Sequence, residues 1–352
     1  MIENIKNAFV RFKRSPAFTG FALFGFALIL NIIIRGPAVF FSAQSMGTLF
    51  SKNAPIILVT MAQAVLLITG TLDISIGIQL ALVNVVVIML PQELGVSIPV
   101  AWLIGILVSL AISAIGGFLV AVLRIPSLLA TFALTFVVMG INVLIMNVPQ
   151  GSVPKVYYST YDSLLFGFLP VAALMILVVA LIWAVVKRTK FGKHIYAVGA
   201  DPKKAFAAGI NPTGTIMKAF LFKGFITGIA GIALTLMIAS GNPLQVESYG
   251  LKSLAACIIG GLGFGGWGSM ASGVYGVGFL VLIQNAVYYF FNFLQGNIIG
   301  FQITSYWQNF ISDLIIMLGL LMTTVTARGQ REALKQGISR QMKRGDKHAK
   351  ES

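Results

Sequence analysis

Long apolar runs broken by short polar or Gly/Pro/Asn-rich stretches dominate this chain. They fall near 18–34, 53–70, 74–91, 99–123, 128–147, 164–186, 215–239, 251–263, 270–294 and 306–326. A helix needs about 20 apolar residues to cross the hydrocarbon layer, so most of these runs are long enough to span. The pattern predicts an all-α polytopic membrane protein of about ten transmembrane helices. The run at 251–263 is short for a full crossing, and an interrupted helix is tolerated at that depth only inside the bundle or along a wet cavity.

Composition agrees: 57% of residues are hydrophobic and 10% charged, against about a quarter charged in a soluble domain. The formal charge is +15, but the basic residues gather at span ends and in the tail, which points to a lipid-facing collar and away from nucleic acid. The basic start, MIENIKNAFVRFKRS, leads into an apolar run without a small-residue cleavage site and reads as an uncleaved first span. With the N-terminus inside, Lys6, Arg11, Lys13, Arg14, Arg124, the lysines of 187–204 with Arg188, Lys218, Lys223 and the basic tail fall on the cytoplasmic side. Only Arg35, Lys52, Lys155 and Lys252 fall outside. This asymmetry puts both termini in the cytoplasm of a multi-pass bacterial inner-membrane protein. The expected organisation is a cytoplasmic segment 1–17, a membrane domain 18–326 with a cytoplasmic loop at 187–213, and a basic tail 327–352.

Candidate chemistry is sparse. The single cysteine, Cys257, has no partner thiol, and His194 and His348 stand far apart, so neither a disulfide, a metal nor any other cofactor is expected. The stretch Gly209–Thr215 has the glycines of a phosphate loop without its lysine, and no acid–base or nucleophile set accompanies it. Polar residues at membrane depth are more informative, because each needs a partner or a wet path. Gln63, Gln79, Asn84, Gln284 and Asn285 carry amides suited either to a neutral hydroxylated solute or to holding helices together. Asp313 is the one carboxylate well inside a span. Asp73, with Ser75 in the stretch 70–77, is placed to cap the following helix or to serve a pathway. Gly224 and Gly228, and the run Gly260 to Gly268, suit close helix crossings and turns. In the loop, Asp201-Pro202 is a helix start and Gly209 a stop, giving a short extramembrane helix that could meet a cytoplasmic partner.

These residues resemble the ribose-type permeases of bacterial ABC importers. The resemblance rests on Thr189–Pro202 with Ala205 and Gly209-Ile210, on Asp73-Ile-Ser75-Ile-Gly77, on Ile125-Pro-Ser127 with Ala130-Thr131, and on Ala255-Ala256 to Gly260-Gly261 with Gly265-Gly266. It implies an importer-type permease bundle, paired with a second permease, identical or not, above two cytoplasmic ABC ATPase subunits and fed by an extracytoplasmic solute-binding protein. Gly199, Asp201, Ala205, Gly209 and Ile210 would then belong to the element coupling the bundle to the ATPase, and ATP hydrolysis would occur in that separate subunit. The implied cargo is a small polar solute, a monosaccharide or a sugar-like compound. The chain departs from the family pattern at Gly250 and Lys252, where an acidic pair around a leucine is common, and at Asp313, where a small neutral residue is usual. A nucleoside, a vitamin-like molecule or a furanone-type derivative therefore stays among the implied solutes. A secondary transporter or channel using an ion gradient, with Asp313 as the ion site, is the competing class.

Overall fold

The computed structural model describes residues 17–263, 265–297 and 304–326. Its elements are almost all helical: α1 (Ala17–Arg35), α2 (Pro37–Phe40), α3 (Ala43–Ile68), α4 (Ile76–Leu94), α5 (Ile98–Gly117) with a π-helical turn at Phe118–Val122, α6 (Ser127–Ile145), α7 (Lys155–Asp162), α8 (Val171–Val186), α9 (Lys190–Ala200), α10 (Pro202–Ala207), α11 (Pro212–Ile238), α12 (Tyr249–Ile259), α13 (Met270–Asn297) and α14 (Ser305–Thr326). A two-residue hairpin pairs Leu164–Leu165 (β1) with Leu169–Pro170 (β2) ahead of α8.

Among the described residues, seven helices are long and apolar enough to cross a membrane: α1, α3, α4, α5 with its π-turn, α6, α11 and α13. The pair α8 and α9 adds an eighth candidate if read as one span bent by 81°, while α12 and residues 306–321 of α14 are shorter apolar helices. All ten predicted runs are thus helical in the main, but the count of ten full spans is not reached. The run predicted at 164–186 loses its first turns to the hairpin, whose reversal at Phe166 and Gly167 uses two positive φ angles, 54° and 76°.

Local chemistry sets the boundaries. Ser42 starts α3 by accepting from the Ser45 amide, Asn211 starts α11 by accepting from Gly214, with Pro212 in the first helical position, and Gly95 closes α4 in the left-handed conformation. The central helix is α11, which lies along α5, α3 and α4. Gly224 fits against Ser113 and Ser109 of α5 and Gly228 against Ile106, where added Cβ atoms would come within 2.5 and 2.9 Å of existing atoms. The predicted small-residue spacing is therefore a close helix crossing. The outer helices present bare apolar side chains, among them Ile33, Phe136, Leu144 and Leu181. A surface this greasy on long apolar helices is the lipid-facing side of a membrane protein.

The interior of α3 and α4 is almost entirely buried, from Ala54 to Ile68 and from Ile76 to Val85. A second apolar cluster joins Ala27 and Phe40 to Ile259, Phe279 and Ile283, holding α1 and α2 against α12 and α13. Residues 1–16 and 327–352, predicted as cytoplasmic segments, lie outside the described residues.

Candidate functional site

Four of the polar residues singled out from sequence converge. The chain leaves α3 at Ile68, and the break before α4 carries Asp73 into the interior. Asp73 Oδ1 accepts from the Ser75 amide at 2.8 Å and from Ser75 Oγ at 2.5 Å. The Gln63 side chain, with its amide nitrogen toward Asp73 O (3.1 Å) and its oxygen toward Asp73 N (3.3 Å), ties the break to α3. Lys223 Nζ of α11 lies 2.5 Å from Asp73 Oδ2 and is wholly buried. The same ammonium donates to Gln79 Oε1 and, at 3.2 Å, to Ser113 Oγ. Gln79 Nε2 donates in turn to Ser109 O and Ser113 Oγ.

This hub corrects the charge assignment made from sequence. Lys223 is no member of a cytoplasmic collar: it sits eleven residues into α11, about 16 Å from the start of the helix at 1.5 Å per residue. Its position eight residues inside the predicted 215–239 run was the available signal, since a cation that deep requires a partner. An unpaired charge in such an interior is prohibitive, whereas opposed charges with their remaining valences filled are tolerable. The hub is accordingly buried, its charged groups are partnered within the protein, and it fixes α3, α4, α5 and α11 at one level.

A second interruption lies beside the first. After α11, residues 240–248 turn back along α4. Asn84 Nδ2 donates to Ser240 O and Thr235 Oγ1, and Asn84 Oδ1 accepts from the Asn242 amide. Further along, Asn142 Nδ2 donates to both Ile78 O and Pro243 O. Gly77 then abuts Val246 O, and a Cβ on Gly250 would stand 2.1 Å from Ile74 O. The segment thus travels from the level of Asn84 to that of Ile74, about 15 Å along α4, so α12 begins deep in the bundle next to the start of α4. This accounts for the shortness of α12, and it explains why position 250 holds glycine: no side chain fits there. Gln245, Glu247 and Ser248 at this depth are exposed. Non-helical polar backbone at membrane depth requires a covering protein or a wet cavity, and discontinuous helices of this kind are where transporters build solute sites.

The other candidates stand apart from the hub. Gln284 and Asn285 are half-buried on α13. Asp313 is exposed on α14. It lies one turn before Ile316, which packs with Tyr249 against the same apolar cluster of Ile56, Ala256, Val277, Leu280 and Val281. Asp313 is therefore on the side of the bundle where α12 begins.

The predicted loop helix is present as α9 and α10. Thr189 caps α9 through Gly192, and Asp201 caps α10 by accepting from the Lys203 and Lys204 amides at 3.0 and 3.1 Å. The Lys204 amide bond leads the effects that hold the Asp201 carboxyl below its usual range. The cap thus contributes stability above the ordinary carboxylate pKa and loses it as pH falls through the lowered value. Gly209 closes the element with φ of 79°, and the Ile210 amide reaches back to Ala205 O. Within α10, Ala205 is turned into the protein at 4% exposure, while Phe206 is 70% exposed. Of the two neighbours, Phe206 is therefore the side chain that α10 presents outward.

Gly199 links this loop to the bundle. A Cβ there would lie 1.8 Å from Ile68 O and 2.6 Å from Gly266 N. Alongside it, the Gly265 and Gly266 amides donate to Leu67 O and Ile68 O, the last carbonyls of α3. Both glycines have positive φ, 85° and 73°, a conformation other residues adopt at a cost. Three segments distant in sequence meet here backbone to backbone: the loop helix α9, the end of α3 and the glycine run before α13.

A fold of apolar spans around a buried hub, with interrupted helices at depth and a capped helix outside the bundle, defines a membrane transport protein. The chain belongs to the family described as "Branched-chain amino acid transport system / permease component", which matches residues 45–322 and so takes in the hub, both interruptions and the loop. Among its relatives, a fructose import permease protein of Rhizobium meliloti is 29% identical over 262 residues, covering 71% of this chain and 73% of that protein. The D-allose transport system permease protein of Escherichia coli K12 is 29% identical over 322 residues, covering 87% and 92%. The galactose/methyl galactoside import permease protein of the same strain is 25% identical over 318 residues, covering 85% and 91%. No solved structure matches the chain.

Proposed function

We propose that this chain is the membrane-spanning subunit of an ABC importer and moves a monosaccharide or a sugar-like solute across the inner membrane. The reading is carried by one observation: a family match over residues 45–322 whose similar proteins are named as import or transport permeases for fructose, allose and galactose. In this reading both termini and the loop at 187–213 face the cytoplasm, two permeases pair, ATPase subunits dock below and a solute-binding protein delivers from outside. Energy enters through α10, and the glycine junction relays movement of the loop to α3. The solute passes along the face where Gln245, Glu247 and Ser248 open and where Asp313 stands. Differential binding of the partners to outward- and inward-open states drives the cycle.

Phe206 is the test of coupling. As an exposed aromatic on a capped helix it has the character of an interface anchor. Phe206→Asp should leave the permease folded and reduce both copurification of the ATPase and ATP-dependent uptake by about tenfold or more, the effect of losing about 1.4 kcal/mol or more. Normal copurification and normal uptake would remove α10 from the docking surface.

A further inference from the structure

A cavity unconnected with the hub opens at the far end of the bundle, opposite the α9–α10 loop. It is bounded by the end of α1, by α2, by the first turns of α3 and by α13, with a volume of about 510 Å³, within the range of small-molecule sites. Arg35 and Lys52 line it, and no carboxylate does. Neither cation takes part in an ion pair among the described residues. Arg35 instead stacks on Tyr289, its guanidinium carbon 3.9 Å from the ring centre, and both side chains line the cavity.

Two further features mark the cavity as built for a ligand. Asn285 Oδ1 and Ser45 Oγ, both in its lining, are buried without a hydrogen-bond partner. An acceptor left bare in this way is costly unless a donor arrives. The charge pattern is equally telling. Of the four basic residues that the sequence predicts away from the cytoplasmic collar, Arg35, Lys52, Lys155 and Lys252, the structure brings two into this cavity and places Lys252 in the first turn of α12, deep in the bundle. A general surface field would scatter them.

We infer that this cavity binds a hydroxylated organic phosphate, its anionic oxygens held by Arg35 and Lys52 and its hydroxyl donated to Asn285 Oδ1. Arginine supplies the forked donors that suit phosphate, and lysine the point charge. Two sources carry this chemistry: a soluble phosphorylated polyol, or the glycerol-phosphate headgroup of an anionic lipid. The exposed side chains Phe26, Ile29 and Ile33 of α1 lead along the apolar surface toward Arg35, so an acyl chain has a surface to follow. The inference is independent of the importer reading, because binding is measured without transport.

The test uses the full-length permease in phosphatidylcholine nanodiscs. Glycerol 3-phosphate is titrated calorimetrically with glycerol as the uncharged control, and retention of phosphatidylglycerol against phosphatidylcholine is read by native mass spectrometry. At least one anionic probe should bind the wild type tenfold or more tighter than R35Q/K52Q, while R35K/K52R keeps most of the binding and Lys155→Gln changes nothing. Retention of phosphatidylglycerol alone assigns the site to lipid, and binding of glycerol 3-phosphate assigns it to a soluble ligand. Folding of each variant is checked by its elution profile. The inference fails if neither probe separates wild type from R35Q/K52Q, or if Lys155→Gln weakens binding as much as the double change does.

Discussion

Asp73→Asn and Lys223→Met should each destabilise the folded permease by about 3–5 kcal/mol, because each strands the other group as an uncompensated buried charge. The surroundings leave little room for compensation. Lys223 is wholly buried, and its other contacts are the Gln79 side-chain oxygen Oε1 and the Ser113 hydroxyl. Asp73 is held from its other side by Ser75 and Gln63. The double variant should recover more than half of the loss, since replacing both members of a buried pair is often close to neutral while removing one is not. Cys257, the chain's single cysteine and fully buried, provides the readout: its reaction with a thiol-specific dye on heating reports unfolding in detergent. Wild-type melting of both single variants would show that the pair contributes nothing to the fold.

Gly199→Val should abolish coupling between the extramembrane loop and the bundle. The valine Cβ would have to occupy a place 1.8 Å from a backbone oxygen at the end of α3, and that oxygen is already engaged by the Gly266 amide. Neither backbone can yield as a flexible side chain would, so α9 must lift from α3 and the glycine run must lose its hydrogen bonds. Transport and stimulation of the ATPase by the loaded binding protein should both fall more than tenfold, well beyond the effect of Gly209→Ala. At Gly209 a Cβ meets open space, and the only penalty is the left-handed backbone, about 1–2 kcal/mol. Equal and mild effects of the two substitutions would deny the junction any part in relaying motion.

The spans were legible in the sequence because burial in lipid demands long apolar runs whatever the tertiary arrangement, and the boundary at Asp201-Pro202 was legible because capping is local chemistry. What depends on non-local contact was not. Lys223 sits beside glycines and apolar residues that say nothing of Asp73, which is 150 positions away. Nothing in residues 240–248 by itself indicates a path back along α4, since that path is set by Asn84 and Asn142. The direction in which a short helix faces is equally hidden: Ala205 and Phe206 are adjacent, and only packing decides that the phenylalanine projects. Of the candidate pathway residues, Gln63, Asp73, Ser75 and Gln79 were identified as polar groups needing partners, and the structure supplies those partners within the protein. Gln284, Asn285 and Asp313 belong to other faces of the bundle. The Gly250 departure from the sugar-permease pattern gains a steric cause, because Ile74 O fills the space a side chain would need.

The most direct measurement is uptake into proteoliposomes containing the permease with its cognate ATPase and solute-binding protein. Radiolabelled monosaccharides such as fructose, galactose and allose are presented with the nucleotide inside the vesicle. Accumulation should require all three components and hydrolysable ATP, and it should persist when proton and sodium gradients are dissipated. Accumulation by the permease alone, driven by an ion gradient and indifferent to ATP, would contradict the importer assignment.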